Sequence, residues 1–332
     1  MKDRIKQIVN LIDKSKRILI TSHKDPDGDS IGSQLALAEL LKRKNKQFKI
    51  MNQGQMPIKY HFLDQDSEII TRPPKKFFKA DLVIILECNN LDRIGWVKDV
   101  IYPEAKIITI DHHSEENYCG TINYSDPLAS AVGEMIYDIF EYLNYPLDAK
   151  TATRLYSAIL TDTGRFRFIN TTPRCLEVCA NLIRSGANPK FITDRIYFEH
   201  HKSYMQILGY LLTHMEFFED NRICCLTLKQ STMKKYGIAS AETEGLVNYA
   251  LYVKGVIVGF ILSELGQSRV HVGLRSQGQF NVSRLAKSFG GGGHKNASGC
   301  TIPGNLQEVK KLLIKKIKME FGRELGRSTP SK

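Results

Sequence analysis

Residues 22–30 read SHKDPDGDS, one histidine and three aspartates within nine positions. Like charges repel, so such crowding suits either a solvated turn or a segment with a cation among its carboxylates. Further along, Glu87 closes the run ADLVIILE (80–87). Asp111, His112 and His113 close AKIITIDHH (105–113), and Asp162 stands in LTDTG. Oxygen and imidazole donors in this mixture suit manganese, magnesium or iron better than a thiolate-loving metal. Two such ions about 3.5–4 Å apart, bridged by a carboxylate, can generate a hydroxide nucleophile and stabilise displacement at phosphorus. Asp27 and Asp29 can flank a tight turn at Gly28 and so face a different ion each. A plainer reading stands beside this one: Asp-Pro-Asp-Gly is a common turn, and Asp29 or Ser30 would serve as a helix N-cap.

Elements must bring these residues together, and the pattern supplies them. RILITS (17–22), QFKIMN (47–52), ADLVIILE and AKIITID (105–111) read as strands, the last two apolar enough to be covered on both faces. SIGSQLALAELLKRK (30–44) reads as a helix whose basic last turn suits its dipole. Strand-helix alternation predicts a doubly wound, mainly parallel α/β sheet, and ligands of such sheets bind beyond the carboxyl ends of the strands. The segments 23–29, 87 and 111–113 all follow such ends, and Asp162 ends a helix. Their joint placement argues for one site more strongly than any segment alone.

Residues 126–216 are mostly helical in pattern, with SAVGEMIYDIFEYLN (130–144), TATRLYSAILTDTG (151–164) and TPRCLEVCANLIRSGANP (172–189) as the clearest helices. Strands resume with RICCLTL (222–228), VIVGFILSEL (256–265) and SRVHVGLRS (268–276). A glycine run, FGGGGHKNASG (289–299), and a last helix, LQEVKKLLIKKIKMEF (306–321), follow. The expected organisation is a first α/β domain over 1–195, a helical linker over 196–216, a smaller α/β substrate-binding domain over 217–325 and a tail over 326–332. Four consecutive glycines let backbone N–H groups approach a phosphate closely, although a flexible linker would use them too.

The chain has 332 residues, 42% hydrophobic and 25% charged, a globular composition with a net charge of +12 that would attract nucleic acid or a small acidic substrate. Its seven cysteines form no CxxC pair or framework spacing, which fits a reducing cytosol. The first sixteen residues, MKDRIKQIVNLIDKSK, read as an amphipathic helix and not a signal peptide. The longest apolar run, VIVGFIL (256–262), is too short to span a bilayer. A cytoplasmic protein is expected.

Taken in order, HKDPDGDSIGS (23–33), DHH (111–113), TDTGRFRFIN (161–170) and GGGGHKNASG (290–299) resemble the motifs of the DHH phosphoesterase family and its associated carboxyl-terminal domain. The resemblance covers about residues 15–320 and looks most like the nanoRNase branch, oligoribonucleases that also hydrolyse pAp. It implies two divalent ions, manganese first, with Mg2+ or Co2+ as substitutes. It assigns His23 and Asp27 to one ion and Asp29, His112 and Asp162 to the other. The bridging position falls on Glu87, where the family usually has aspartate. His113 would lie beside the scissile phosphate as a phosphate contact or proton donor, and Asp111 would orient the histidines. Arg275, Ser276, Gly291, Gly292, Gly293 and His294 would bind the nucleotide. Expected partners are a short RNA or nucleotide, with no membrane and no long duplex; a homodimer is left open. A cyclic-dinucleotide phosphodiesterase, acting on cyclic di-AMP or linear pApA, is the alternative enzyme. A non-catalytic nucleotide-binding protein is the alternative of another class.

Overall fold

Ile18, Ile20, Leu82, Ile84 and Leu86 pack into one layer while Leu19, Val83 and Ile85 pack into another, the alternation that strands covered on both faces require. The computed structural model describes residues 2–74, 78–113, 118–238, 245–266 and 268–327. It divides into two compact units, Met1–Glu199 and His200–Lys332.

In the first unit, strands β1 (Arg17–Ser22), β2 (Gln47–Met51), β3 (Ile69–Ile70), β4 (Leu82–Leu86), β5 (Lys106–Asp111) and β6 (Ile122–Ser125) form one sheet in the order β3-β2-β1-β4-β5-β6. Every pairing is parallel. The chain walks outward from β1 through β2 and β3, then returns to lay β4 on the other side of β1. That reversal puts the topological switch point between the carboxyl ends of β1 and β4.

Helices α1 (Lys2–Lys14), α2 (Gly28–Arg43), α3 (Val132–Tyr142), α4 (Ala149–Asp162) and α5 (Pro173–Arg184) share a core with one face of the sheet, and a short α6 (Pro189–Thr193) follows. The opposite face is covered by 3-10 turns over Leu91–Val100, through Ile94, Val97 and Val100. Gly95, at φ 64°, breaks that crossover, so it does not run on as one helix. The doubly wound sheet is thus wholly parallel, with its α-helices on a single side.

The second unit comprises α7 (Lys202–Thr213), β7 (Glu216–Phe218), β8 (Ile223–Leu228), α8 (Gln230–Tyr236), β9 (Val258–Leu265), β10 (Arg269–Ser276), α9 (Val282–Lys287), β11 (Gly292–His294), β12 (Ala297–Pro303) and α10 (Leu306–Arg327). Its sheet has the order β11-β12-β10-β9-β8-β7, with β8 and β9 parallel and the other neighbours antiparallel.

Three local expectations change. Helix α2 starts at Gly28 and is capped by Asp27, whose Oδ1 accepts from the Ser30 amide at 3.1 Å, so Gly28 is a helical residue and not the apex of a turn. The glycine run is not a linker, because Gly292–His294 form β11 and pair with β12. Helix α10 runs to Arg327, past the expected start of the tail, and 328–332 lie outside the described residues. No helix among the described residues is long and apolar enough to cross a membrane.

Candidate metal centre

The residues that follow β1, β4 and β5 meet at the switch point. Ligand atoms of His23, Asp27 and Glu87 lie within 4.8 Å of one another, and so do those of Glu87, His112 and His113. Glu87 belongs to both sets. Asp162, the last residue of α4, places Oδ2 3.6 Å from His112 Nε2.

The three histidines share one arrangement. Each has Nδ1 committed to a nearby oxygen: His23 to the Lys24 carbonyl at 2.8 Å, His112 to the Ala129 carbonyl at 3.2 Å, and His113 to Asp111 Oδ1 at 2.6 Å. A carbonyl or carboxylate oxygen at Nδ1 accepts a hydrogen bond, which keeps a proton on that nitrogen. In the neutral ring Nε2 is then the nitrogen that carries the lone pair, and in the charged ring it carries a second proton. His23 Nε2 stands 3.6 Å from Glu87 Oε2.

Asp29 is held differently. It is buried in the first turn of α2, and both of its oxygens accept hydrogen bonds from the start of α3: Val132 N at 2.7 Å and Gly133 N at 2.9 Å. Ser33 donates its hydroxyl as well, at 2.9 Å. A helix start is where a carboxylate is most at home.

Glu87 sits where β4 ends, with φ at 56°, a left-handed conformation that costs a non-glycine residue about 1–3 kcal/mol. Its amide still donates to Ile110 O on β5, at 2.9 Å. Ser30 donates its hydroxyl to Glu87 Oε2 and also meets Ser22 Oγ at 2.7 Å and His23 Nε2 at 3.0 Å. By sequence Ser30 is a capping candidate only; its position among these groups has no local signature. The Asn170 amide donates to Asp162 Oδ2 at 3.1 Å and to the Ser130 carbonyl at 2.9 Å.

Charge at the site is out of balance. Burial, reinforced by Asp27, Asp29 and Asp162, pushes the Glu87 carboxyl well above its ordinary range. Burial also raises Asp162, with Asp29 and Asp27 adding to it while His112 opposes. Burial lifts Asp29 in the same way. Burial resists protonation of His112, yet Asp162, Asp29 and Glu87 together overcome it and raise the imidazole to about 9. Asp111 differs: burial works against its ionisation, but the hydrogen bonds and charge of His113, with the charge of His112, together outweigh it and hold the carboxyl below its usual range. Carboxylate oxygens and imidazole nitrogens that repel one another in a buried site are a donor set suited to hard divalent cations.

The second unit keeps the other expected residues in one neighbourhood. Arg275, at the end of β10, donates Nε to Asn248 Oδ1 at 3.0 Å. Ser276 is buried, with its hydroxyl donated to the Phe280 carbonyl at 2.7 Å and accepting from Asn296 at 2.9 Å, so it fastens the turn behind Arg275. Gly291 donates its N–H to the Ala286 carbonyl at 2.9 Å and packs so closely that a Cβ would stand 2.2 Å from Gly299 O. Its amide is therefore occupied by the end of α9. Gly292 and Gly293 lie on β11, at the edge of the sheet. The side chain of His294 lies outside the described residues.

Comparison with known proteins places this arrangement. Residues 17–159 match the DHH family, N-terminal domain, and residues 222–321 match the DHHA1 domain. The bifunctional oligoribonuclease and PAP phosphatase of Thermus thermophilus is 31% identical, over 92% of this chain and 90% of that protein. The protein of the same description from Bacillus subtilis is 30% identical, over 91% and 93%. The crystal structure of an exopolyphosphatase-related protein from Bacteroides fragilis superposes with a TM-score of 0.89 at 26% identity, covering 96% of each chain.

Proposed function

Because this chain belongs to the DHH family of phosphoesterases, we propose that it hydrolyses short oligoribonucleotides and pAp to nucleoside monophosphates with two divalent ions, Mn2+ foremost. The relatives from Thermus and Bacillus carry both activities in their names. The observation that carries the reading is Glu87, shared between the His23–Asp27 set and the His112–His113 set.

In this reading His23, Asp27 and Glu87 hold one ion, and Glu87, Asp29, His112 and Asp162 hold the other. Bound there, the ions would supply the positive charge that makes water a nucleophile at neutral pH and offsets the charge of the phosphate. The chain's own residues do the rest. Nδ1 of His113 is fixed by Asp111, which leaves Nε2 to give a proton to the departing ribose oxygen as its bond to phosphorus breaks. The carboxylate of Asp111, held ionised, accepts from Nδ1 and fixes the orientation of the ring. Ser30 and Asn170 fix the oxygens of Glu87 and Asp162, so the ligands need little rearrangement. In the second unit, Arg275 and the edge strand Gly292–His294 take the nucleotide's phosphate. The seven free thiols suit a reducing, cytosolic compartment.

The test is hydrolysis in Mn2+ of an RNA dinucleotide, an RNA of some two dozen nucleotides, pAp and cyclic di-AMP, with Asp162→Ala as control. Rapid loss of the dinucleotide and pAp, sparing of the long RNA and a dead variant are expected. Preference for cyclic di-AMP would transfer the assignment to a cyclic-dinucleotide phosphodiesterase. Nucleotide binding without turnover would make the chain a binding protein.

A further inference from the structure

The segment after Asp162 has an unusual backbone. Gly164, Arg165 and Phe166 are consecutive left-handed residues, with φ of 56°, 65° and 61°. For the two non-glycine residues that conformation costs about 1–2 kcal/mol each. Thr163 over-determines it: the amides of Arg167 and Phe168 both donate to the Thr163 carbonyl at 3.0 Å, and that of Phe166 to Thr163 Oγ1 at 3.1 Å.

This turn presents apolar side chains to solvent. Ile169 is 101% exposed and Phe168 46%. Leu128, on the loop after β6, is 83% exposed. Asn170 ties the two loops together through its bonds to Ser130 O and Asp162 Oδ2. Leu128 is one residue from Ala129, whose carbonyl holds His112 Nδ1, and Ile169 is one residue from Asn170, which holds Asp162. Single exposed apolar residues are ordinary. Here three lie within two residues of groups that hold His112 and Asp162, on two loops that Asn170 joins, and the strained turn carries two of them. Arg165 and Arg167, both exposed, lie on the same turn and supply charge for an anion beside an apolar face.

We infer that Leu128, Phe168 and Ile169 form a stacking platform for a nucleobase of the substrate, with Arg165 and Arg167 serving the adjoining phosphate. The inference rests on the nucleotide reading above and adds how a short chain is gripped without regard to sequence. Any base has a flat face that such a surface can cover. A substrate without a base gains nothing from it.

The test measures binding to the full chain in Mn2+ of an RNA dinucleotide with an uncleavable methylenephosphonate linkage, and of the same compound with either base removed. The Leu128→Ser, Ile169→Ser double variant alters exposed side chains only. It should bind the dinucleotide about tenfold more weakly than wild type. With at least one of the two abasic compounds, wild type and variant should bind alike. Ile169→Trp, which widens the surface, should bind the dinucleotide at least as tightly as wild type. Equal affinity of wild type and double variant for the dinucleotide, including none in either, overturns the platform. So does an equal loss on both abasic compounds. A tenfold difference in a protein that cleaves no RNA would overturn the proposed function and leave the platform standing.

Discussion

Asp29 and Val132 are 103 positions apart in sequence, yet the Val132 amide donates to Asp29 Oδ2 at 2.7 Å, and the next amide, Gly133, takes the other oxygen. A carboxylate at the start of one helix is therefore the cap of another. The pair locks α2 against α3 at the place where the ligands converge, so Asp29 has a structural duty that does not depend on a metal.

That duty is measurable. Asp29→Ala would leave two buried amides without their acceptor, at about 1–3 kcal/mol each, partly offset by removing a buried carboxyl that Asp27 repels. A net loss of about 2 kcal/mol is expected in urea unfolding of the chelator-treated protein. An unchanged urea midpoint would show that the amides find other partners and that Asp29 serves the metal centre alone.

Glu87→Gln should separate stability from activity in the opposite way. Glutamine keeps the shape and an oxygen for the Ser30 hydroxyl, and it removes the charge that Asp27, Asp29 and Asp162 oppose. The chelator-treated variant should unfold at the same urea concentration as wild type or a higher one. Mn2+-dependent hydrolysis should fall by more than about 100-fold, because the residue common to both ligand sets has lost its charge. A variant that turns over normally would remove Glu87 from the bridging role.

Asn170→Ala tests positioning. Its amide holds Asp162 Oδ2 without belonging to either ligand set. Loss of such a support costs about 10–100-fold in metal affinity or activity. The expected signature is a higher Mn2+ concentration for half-maximal rate, with the rate at saturation recovering in part. A lowered maximal rate at unchanged Mn2+ dependence would instead point to Asn170 acting on substrate.

The legible and illegible parts of this molecule divide on range. β1, β4 and β5 were readable because buried parallel strands are nearly uninterrupted apolar runs, and the acids that end them stand out against such runs. β3, two residues long, and β6, with the mixed sequence INYS, lack that contrast. At the site, residue types announced His23, Glu87 and His112. Nothing local announced that α3 caps Asp29, that Ser30 stands between His23 and Glu87, or that β11 is a strand. Those facts depend on segments brought together by the sheet. The close approach of α2 and α4 is a further case: a Cβ on Gly32 would stand 2.4 Å from Arg154 O, a constraint visible only once both helices are placed.

That approach predicts the effect of Gly32→Ala. The obstructing atom is a backbone oxygen, which cannot swing aside, so α2 and α4 must separate. Overpacking of this kind costs about 1–3 kcal/mol. Because α2 begins with Asp27 and Asp29 and α4 ends with Asp162, activity should fall together with stability. Thermal unfolding and hydrolysis rates on one preparation check this. Full activity at an undiminished melting temperature would show that the helices can move apart without disturbing the ligands.

Away from the site, Arg154 is almost wholly buried and donates to the carbonyls of Leu63 and Leu35, each at 3.1 Å, and to Glu39 Oε1 at 2.7 Å. Burial acts against ionisation of Glu39, but hydrogen bonds from Lys42 and Arg154 prevail and hold its carboxyl below the ordinary range. The native state therefore binds fewer protons here than the unfolded chain does. The stability this contributes is present above the unfolded pKa of about 4.3 and fades as pH falls through the lower native value. Glu39→Gln removes the titration. Its urea midpoint should lie below that of wild type at pH near 7, and the gap should close as the solution is acidified below about pH 4. A gap that stays constant or widens with acid would mean that Glu39 is not the partner that keeps the Arg154 charge satisfied.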